Sequence, residues 1–116
     1  MAVTPRAPGR AASFGTPLRT EILVLLRLLG TSYPRELARL LDRPLSVVQK
    51  ALVSLEQDTL VAAQSIGRTR VYRLNPSYYA SRELAAYLSR IAEVEKEIFD
   101  FAAKVRRRPR RTGKRL

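Results

Sequence analysis

The chain contains no cysteine, no histidine and no tryptophan, and it has a single methionine among its 116 residues. Without cysteine there are no disulfides, no thiolate metal sites and no thiol nucleophile. Without histidine, the commonest metal ligand and the commonest general base are also missing. No cluster combines a nucleophile, a base and an oxyanion donor, and Glu93, Glu95, Glu97 and Asp100 read as the solvated side of a helix. An enzyme is therefore the least favoured class, and neither a metal nor a cofactor is expected. Long apolar runs are missing too. The longest, Ile22 to Leu29, is interrupted by Arg27 and falls far short of the roughly 20 residues of a membrane helix. The first residues carry no apolar core of the secretory kind. A cytoplasmic, nucleoid-associated protein with no membrane partner is expected.

Acidic residues are scarce as well: 10 Asp and Glu face 22 Lys and Arg, for a net charge of +12. Such an excess favours polyanions, but its placement matters more than its size. Seven basic residues lie in the last eleven positions, as Arg106, Arg107, Arg108, Arg110, Arg111, Lys114 and Arg115, and two lie in residues 1–16. The stretch between them keeps 13 basic and 10 acidic groups, a net charge of only +3.

Residues 1–16 are rich in Pro, Ala, Gly and Arg without periodicity and are expected to form a disordered arm. Ile22, Leu25, Leu26 and Leu29 then recur at helical spacing, and Gly30 follows as a stop. Pro34 suits the first turn of a second, short helix with Leu37, Leu40 and Leu41 on its apolar face. After a break at Asp42-Arg43-Pro44, residues Leu45, Val48, Leu52 and Leu55 mark a third. The period then changes to two. Residues 60–63 and 70–74 read as strands joined through Gln64 to Thr69, with Gly67 allowing the reversal. A last helix is expected to begin between Pro76 and Ser81 and to run to about Val105. Helix, helix, tight turn, helix and hairpin in that order is what a winged helix-turn-helix requires. The expected fold is mainly α with a small β-hairpin: a DNA-binding domain over 17–75, a long dimerisation helix over 76–105 and a disordered basic tail over 106–116.

The segments YPRELARLLDRPLSVVQKALVSLEQDTLV and IGRTRVYRLNP carry an xELAxxL helix, a VxxxLxxL helix, a Leu-Val opening to the hairpin and a G-R-x-x-x-Y-x-L return strand. In these the chain resembles the ArsR-like winged-helix regulators over roughly residues 18–75. It departs from them at Asp42 in place of a turn glycine, at Arg43 and Pro44 in the turn, at Ala51 where many relatives have histidine, and at Thr59 in place of a glycine before the wing. These departures bear on turn geometry. The resemblance implies a recognition helix over about Leu45 to Gln57, whose exposed Ser46, Val47, Gln49 and Lys50 face base edges and nearby phosphates. Gln49 has the chemistry for a bidentate adenine contact, Val47 for a thymine methyl, and Lys50 for guanine or phosphate. The family includes metal sensors that use Cys, His and carboxylate ligands. This chain lacks the first two, so no metal site is carried over.

Arg68 and Arg70 frame the wing tip, where guanidinium groups can bind phosphate or enter the minor groove. Arg35, Arg39 and Arg43 flank the second helix and are either phosphate contacts or partners of Glu36 and Asp42. Leu84, Tyr87, Ile91, Val94, Ile98, Phe101 and Val105 are spaced alternately by three and four, a heptad seam. Such a seam either pairs two copies into a homodimer or caps its own domain.

Together these features point to a sequence-specific regulator of transcription, a repressor, that binds double-stranded DNA as a homodimer. Two alternatives compete. One is a non-specific architectural DNA binder dominated by its basic ends; the other is a winged-helix adaptor or antitoxin-like subunit that grips another protein. Removing residues 106–116 separates the first two. A sequence-specific regulator is expected to keep its preference among duplexes while its overall affinity and salt dependence fall, as read by fluorescence anisotropy.

Overall fold

The computed structural model describes residues 14–95. Helix α1 (Pro17–Leu29) starts at a Thr-Pro signal: the Thr16 hydroxyl accepts a hydrogen bond from the Arg19 amide at 3.1 Å, and Pro17 opens the first turn. Phe14 packs against the core and places its ring 6.0 Å from that of Tyr87. Residues 14–16, assigned to the arm on composition, thus cap and cover α1 instead. The five residues Ile22 to Leu26 are all at most 1% exposed. Consecutive helical residues point all the way round the axis, so α1 is enclosed rather than amphipathic.

A two-residue strand, β1 (Thr31–Ser32), follows Gly30. Helix α2 (Pro34–Leu41) and helix α3 (Leu45–Gln57) then form the helix-turn-helix. Each ends in the same way. Asp42, at φ 55°, follows α2, with Arg43 N–H donating to Ala38 C=O at 3.0 Å and Asp42 N–H to Arg39 C=O at 3.3 Å. Thr59, at φ 64°, follows α3, with Leu60 N–H donating to Leu55 C=O at 3.0 Å and Thr59 N–H to Glu56 C=O at 2.9 Å. Both are Schellman terminations, whose left-handed residue is usually glycine. The two glycine departures noted in the sequence therefore leave the turn geometry in place and put the strain on an Asp and a Thr.

The hairpin comprises β2 (Val61–Ile66) and β3 (Thr69–Leu74), and the sheet order is β1-β3-β2, antiparallel throughout. Ile66 pairs with Thr69, so the reversal uses only Gly67 and Arg68 rather than the six residues expected. Gly67 has φ 62° and Arg68 is not in the positive-φ region, the pattern of a II′ turn. The outer pairs form without an apolar alternation on β2. Gln64, Ser65 and Ile66 are all exposed, and the strand therefore outlasts its hydropathy pattern. Asn75 pins the base of the wing to the end of α3: its amide N–H and its side-chain Nδ2 donate to Leu60 and Thr59 carbonyls at 3.0 and 2.9 Å.

Helix α4 (Ser81–Val94) returns to α1. Its Leu84, Leu88, Ile91 and Ala92 are buried in the common core, and Arg27 of α1 donates from Nε to the Ala85 carbonyl at 3.2 Å and to Ser89 Oγ at 2.9 Å. This divides the expected dimer seam. Leu84 and Ile91 are covered by the chain's own α1, whereas Tyr87 and Val94 stay exposed. Within the described residues the helix runs to Val94, with Glu95 at φ −96° and ψ 80°, and the expected continuation to Val105 falls outside them. Ile98, Phe101 and Val105 lie outside the described residues.

Thr59 is β-branched and adopts a left-handed conformation that costs such residues most. Thr59→Gly is expected to stabilise the fold by about 1 kcal/mol. By contrast, Leu52→Ala, at a fully buried position of α3, is expected to lose about 2–5 kcal/mol. Urea denaturation of the two variants measures both.

Candidate nucleic-acid interface

Helix α3 buries Val48, Leu52 and Leu55 and turns the opposite side outward. Ser46, Gln49, Lys50, Val53 and Gln57 are exposed and follow one another at spacings of three, one, three and four, so they form one stripe, with Val47 at its edge. All four residues expected on the reading face are thus solvent-facing. Val53 belongs with them: it is 48% exposed, an apolar side chain in mid-stripe that the sequence reading left off the site. Its signal was its position four residues after Gln49 and three after Lys50. No acidic residue occurs between Arg43 and Val53.

The start of α3 has no side-chain cap; Pro44 precedes it, and the Pro44 carbonyl accepts from the amides of Val47 and Val48. Arg43 is exposed in the turn beside this helix end, and Arg35 and Arg39 are exposed one turn apart on α2. Glu36 lies on the other side of α2, only 3% exposed, and accepts from Ser32 Oγ at 2.6 Å. That carboxylate is therefore an internal tie to β1 rather than part of the surface charge.

The C-terminal half of α3 is held from two sides. From α1, Arg19 donates from Nε to the Phe14 carbonyl at 2.6 Å, from Nη1 to Ser54 Oγ, and from Nη2 to Asp58 Oδ2 at 2.6 Å. Its side chain is mostly covered. From the wing, Arg70 donates through Nη2 to both carboxylate oxygens of Glu56, at 3.2 and 3.0 Å. The expected pair of wing arginines is thus divided: Arg68 is exposed in the Gly67-Arg68 turn, while Arg70 reaches back to the recognition helix. The Tyr72 hydroxyl and then the Glu56 carboxylate raise the pKa of Arg70 further, so it stays charged at any pH the protein meets. Arg19, Glu56 and Asp58 were absent from the sequence-based site because their roles depend on which elements meet.

Before α4, the rings of Tyr78 and Tyr79 lie 4.8 Å apart, and a side-chain hydrogen bond with Tyr79, then desolvation, push the Tyr78 phenol upward. Among the described residues, no three acidic side chains converge as a metal site, and no helix is long and apolar enough to cross a membrane. The basic run Arg106, Arg107, Arg108, Arg110, Arg111, Lys114 and Arg115 lies outside the described residues.

Three helices, a helix-turn-helix turn and a two-stranded wing backed by β1 make this a winged helix-turn-helix fold. Among solved structures, the chain is similar to the Adhesin competence repressor (AdcR) from Streptococcus pyogenes. The TM-score is 0.58 at 16% sequence identity, over 79% of this chain and 68% of that one. At that identity the likeness is one of fold. No family model and no curated protein matches the chain.

Because Arg19 anchors the recognition helix through several charged bonds at a mostly covered position, Arg19→Ala is expected to cost about 1–3 kcal/mol of stability. Among the described residues, Arg90 pairs only with Glu93, on the exposed side of α4, and Arg90→Ala is expected to change stability by less than about 0.5 kcal/mol. Thermal denaturation of the two variants provides the comparison.

Proposed function

We propose that the protein is a sequence-specific regulator of transcription that binds double-stranded DNA, and that it acts as a repressor in the manner of the ArsR-like proteins its motifs resemble. The observation that carries this reading is the acid-free stripe of Ser46, Gln49, Lys50 and Val53 on the outer side of α3, beside a wing whose turn exposes Arg68. A helix inserted in the major groove must present short polar and apolar groups to base edges and cations to the phosphates on either side. This stripe offers both. Gln49 is suited to adenine, Val47 and Val53 to thymine methyls, and Lys50 to guanine or phosphate. Arg35, Arg39 and Arg43 are suited to the backbone on the α2 side, and Arg68 to the backbone or minor groove on the other. The fold is shared with a protein named as a repressor, which favours repression over activation.

A single recognition helix covers few base pairs, and two-fold pairing doubles the reading. The exposed Tyr87 and Val94 on α4, together with Ile98, Phe101 and Val105 further along the sequence, are the surface proposed for a homodimer. The basic residues of 106–116 add sequence-independent affinity.

Selection of bound fragments from random duplexes is expected to return a site with two-fold symmetry. On that site Gln49→Ala is expected to relax the preference at one A·T position per half-site, losing about 1–3 kcal/mol of discrimination. Arg68→Gln is expected to weaken all duplexes alike and to reduce the salt slope by about one. Equal binding of every duplex by the unaltered protein overturns the reading in favour of an architectural binder.

A further inference from the structure

Glu56 stands out on the reading side of the molecule. It lies in the last turn of α3, immediately before Gln57 at the end of the acid-free stripe, and its carboxylate is held by Arg70 of the wing. Arg70 is fixed at a second point. Its Nε donates to the Tyr72 hydroxyl at 3.2 Å, and its guanidinium lies over the Tyr72 ring, 5.7 Å from the centroid. Tyr72 is itself buried, so this support does not move. Only Thr69 separates Arg70 from the exposed Arg68. Two wing arginines close together in sequence are thus in opposite states, one open and one engaged.

A carboxylate and a phosphate offer a guanidinium the same pair of acceptor oxygens. Glu56 therefore fills, within the free protein, the place a DNA phosphate would take at Arg70. A single exposed ion pair is a weak restraint. Here two further effects act in the same direction. Leaving Glu56 also breaks the Tyr72 hydroxyl bond and the contact with its ring, and it leaves a bare carboxylate beside the phosphate that Arg70 would bind. The cation gained is offset by the anion exposed.

We propose that Glu56 is a specificity-determining residue that withholds Arg70 from DNA and so leaves Arg68 as the open cation at the wing tip, with Arg73 exposed at the wing base. This rests on the DNA-binding reading above and deepens it. Keeping one cation out of the backbone contacts lowers sequence-independent affinity and leaves the choice of site to the stripe on α3.

The test is a four-way cycle of the unaltered full-length protein, Glu56→Gln, Arg70→Gln and the double variant. Each is titrated by fluorescence anisotropy onto a mixed-sequence duplex across a range of salt. Releasing Arg70 adds one phosphate contact, so Glu56→Gln is expected to bind this duplex more tightly and to steepen the dependence of log K on log salt by about 0.9. Between roughly 50 and 200 mM salt it then loses about threefold more affinity than the unaltered protein. Arg70→Gln is expected not to steepen the slope, and removing Glu56 in that background is expected to raise the slope less than it does in the unaltered protein. Glu56→Ala, which cannot hold the guanidinium through a neutral acceptor, is expected to act at least as strongly, and thermal melts establish that each variant is folded.

Three results overturn the proposal. An unchanged slope in both Glu56 variants means that Arg70 cannot reach phosphate. An equal gain on removing Glu56 from the unaltered protein and from Arg70→Gln means that Glu56 acts by repulsion alone. A slope reduced by about one unit in Arg70→Gln means that Arg70 already contacts DNA. Failure of the unaltered protein to bind any duplex at low salt removes the DNA-binding reading, and this inference with it, and is distinguished from the other three by the absence of any titration.

Discussion

The enclosure of α1 is the constraint on which the rest of the molecule depends. A helix with apolar side chains at five consecutive positions has no face to give to water, so neighbours must cover it on every side. Helix α4 covers one part, and α2, α3, β1 and β3 cover the others. The recognition helix and the wing are therefore both located relative to one central rod. At the two ends of that rod, arginines convert the apolar packing into a fixed register: Arg19 holds the end of α3, and Arg27 holds the middle of α4. Apolar burial is non-directional, whereas these charged bonds are not, and together they fix position as well as proximity.

Charge on the molecule is divided by location more than by amount. Three acids near the reading side are engaged in ties between elements: Glu36 with β1, Glu56 with the wing and Asp58 with α1, while Asp42 is exposed in the turn. The stripe itself carries none. A net charge of +3 between the two basic ends is thus compatible with a cationic face, because the stripe carries no acid and three of its acidic neighbours are occupied in bracing.

Much of this was legible in the sequence, and the exceptions share a cause. The first three helices are marked by start and stop residues as well as by period, and the reading face of α3 follows directly from the core face opposite it. The strand Thr31–Ser32 is too short to carry any period. Strands β2 and β3 extend past their apolar alternation because the hairpin ladder needs no side-chain pattern. In α4, the spacing that marks a seam for a partner copy also marks a helix lying on its own domain. Leu84 and Ile91 satisfy both patterns, and only the presence of α1 alongside decides for them. The pairing of Glu56 with Arg70 is a matter of hairpin register against a helix end, which no local rule contains.

Since Leu84, Leu88, Ile91 and Ala92 are satisfied within one chain, the domain completes its core without help from a neighbour. Folding is then a first-order event in a single chain, and any joining of two copies is a later encounter between finished bodies. Population control follows from that order. On dilution such a chain is expected to give intact single copies rather than unfolded chain, so that concentration sets how many copies meet.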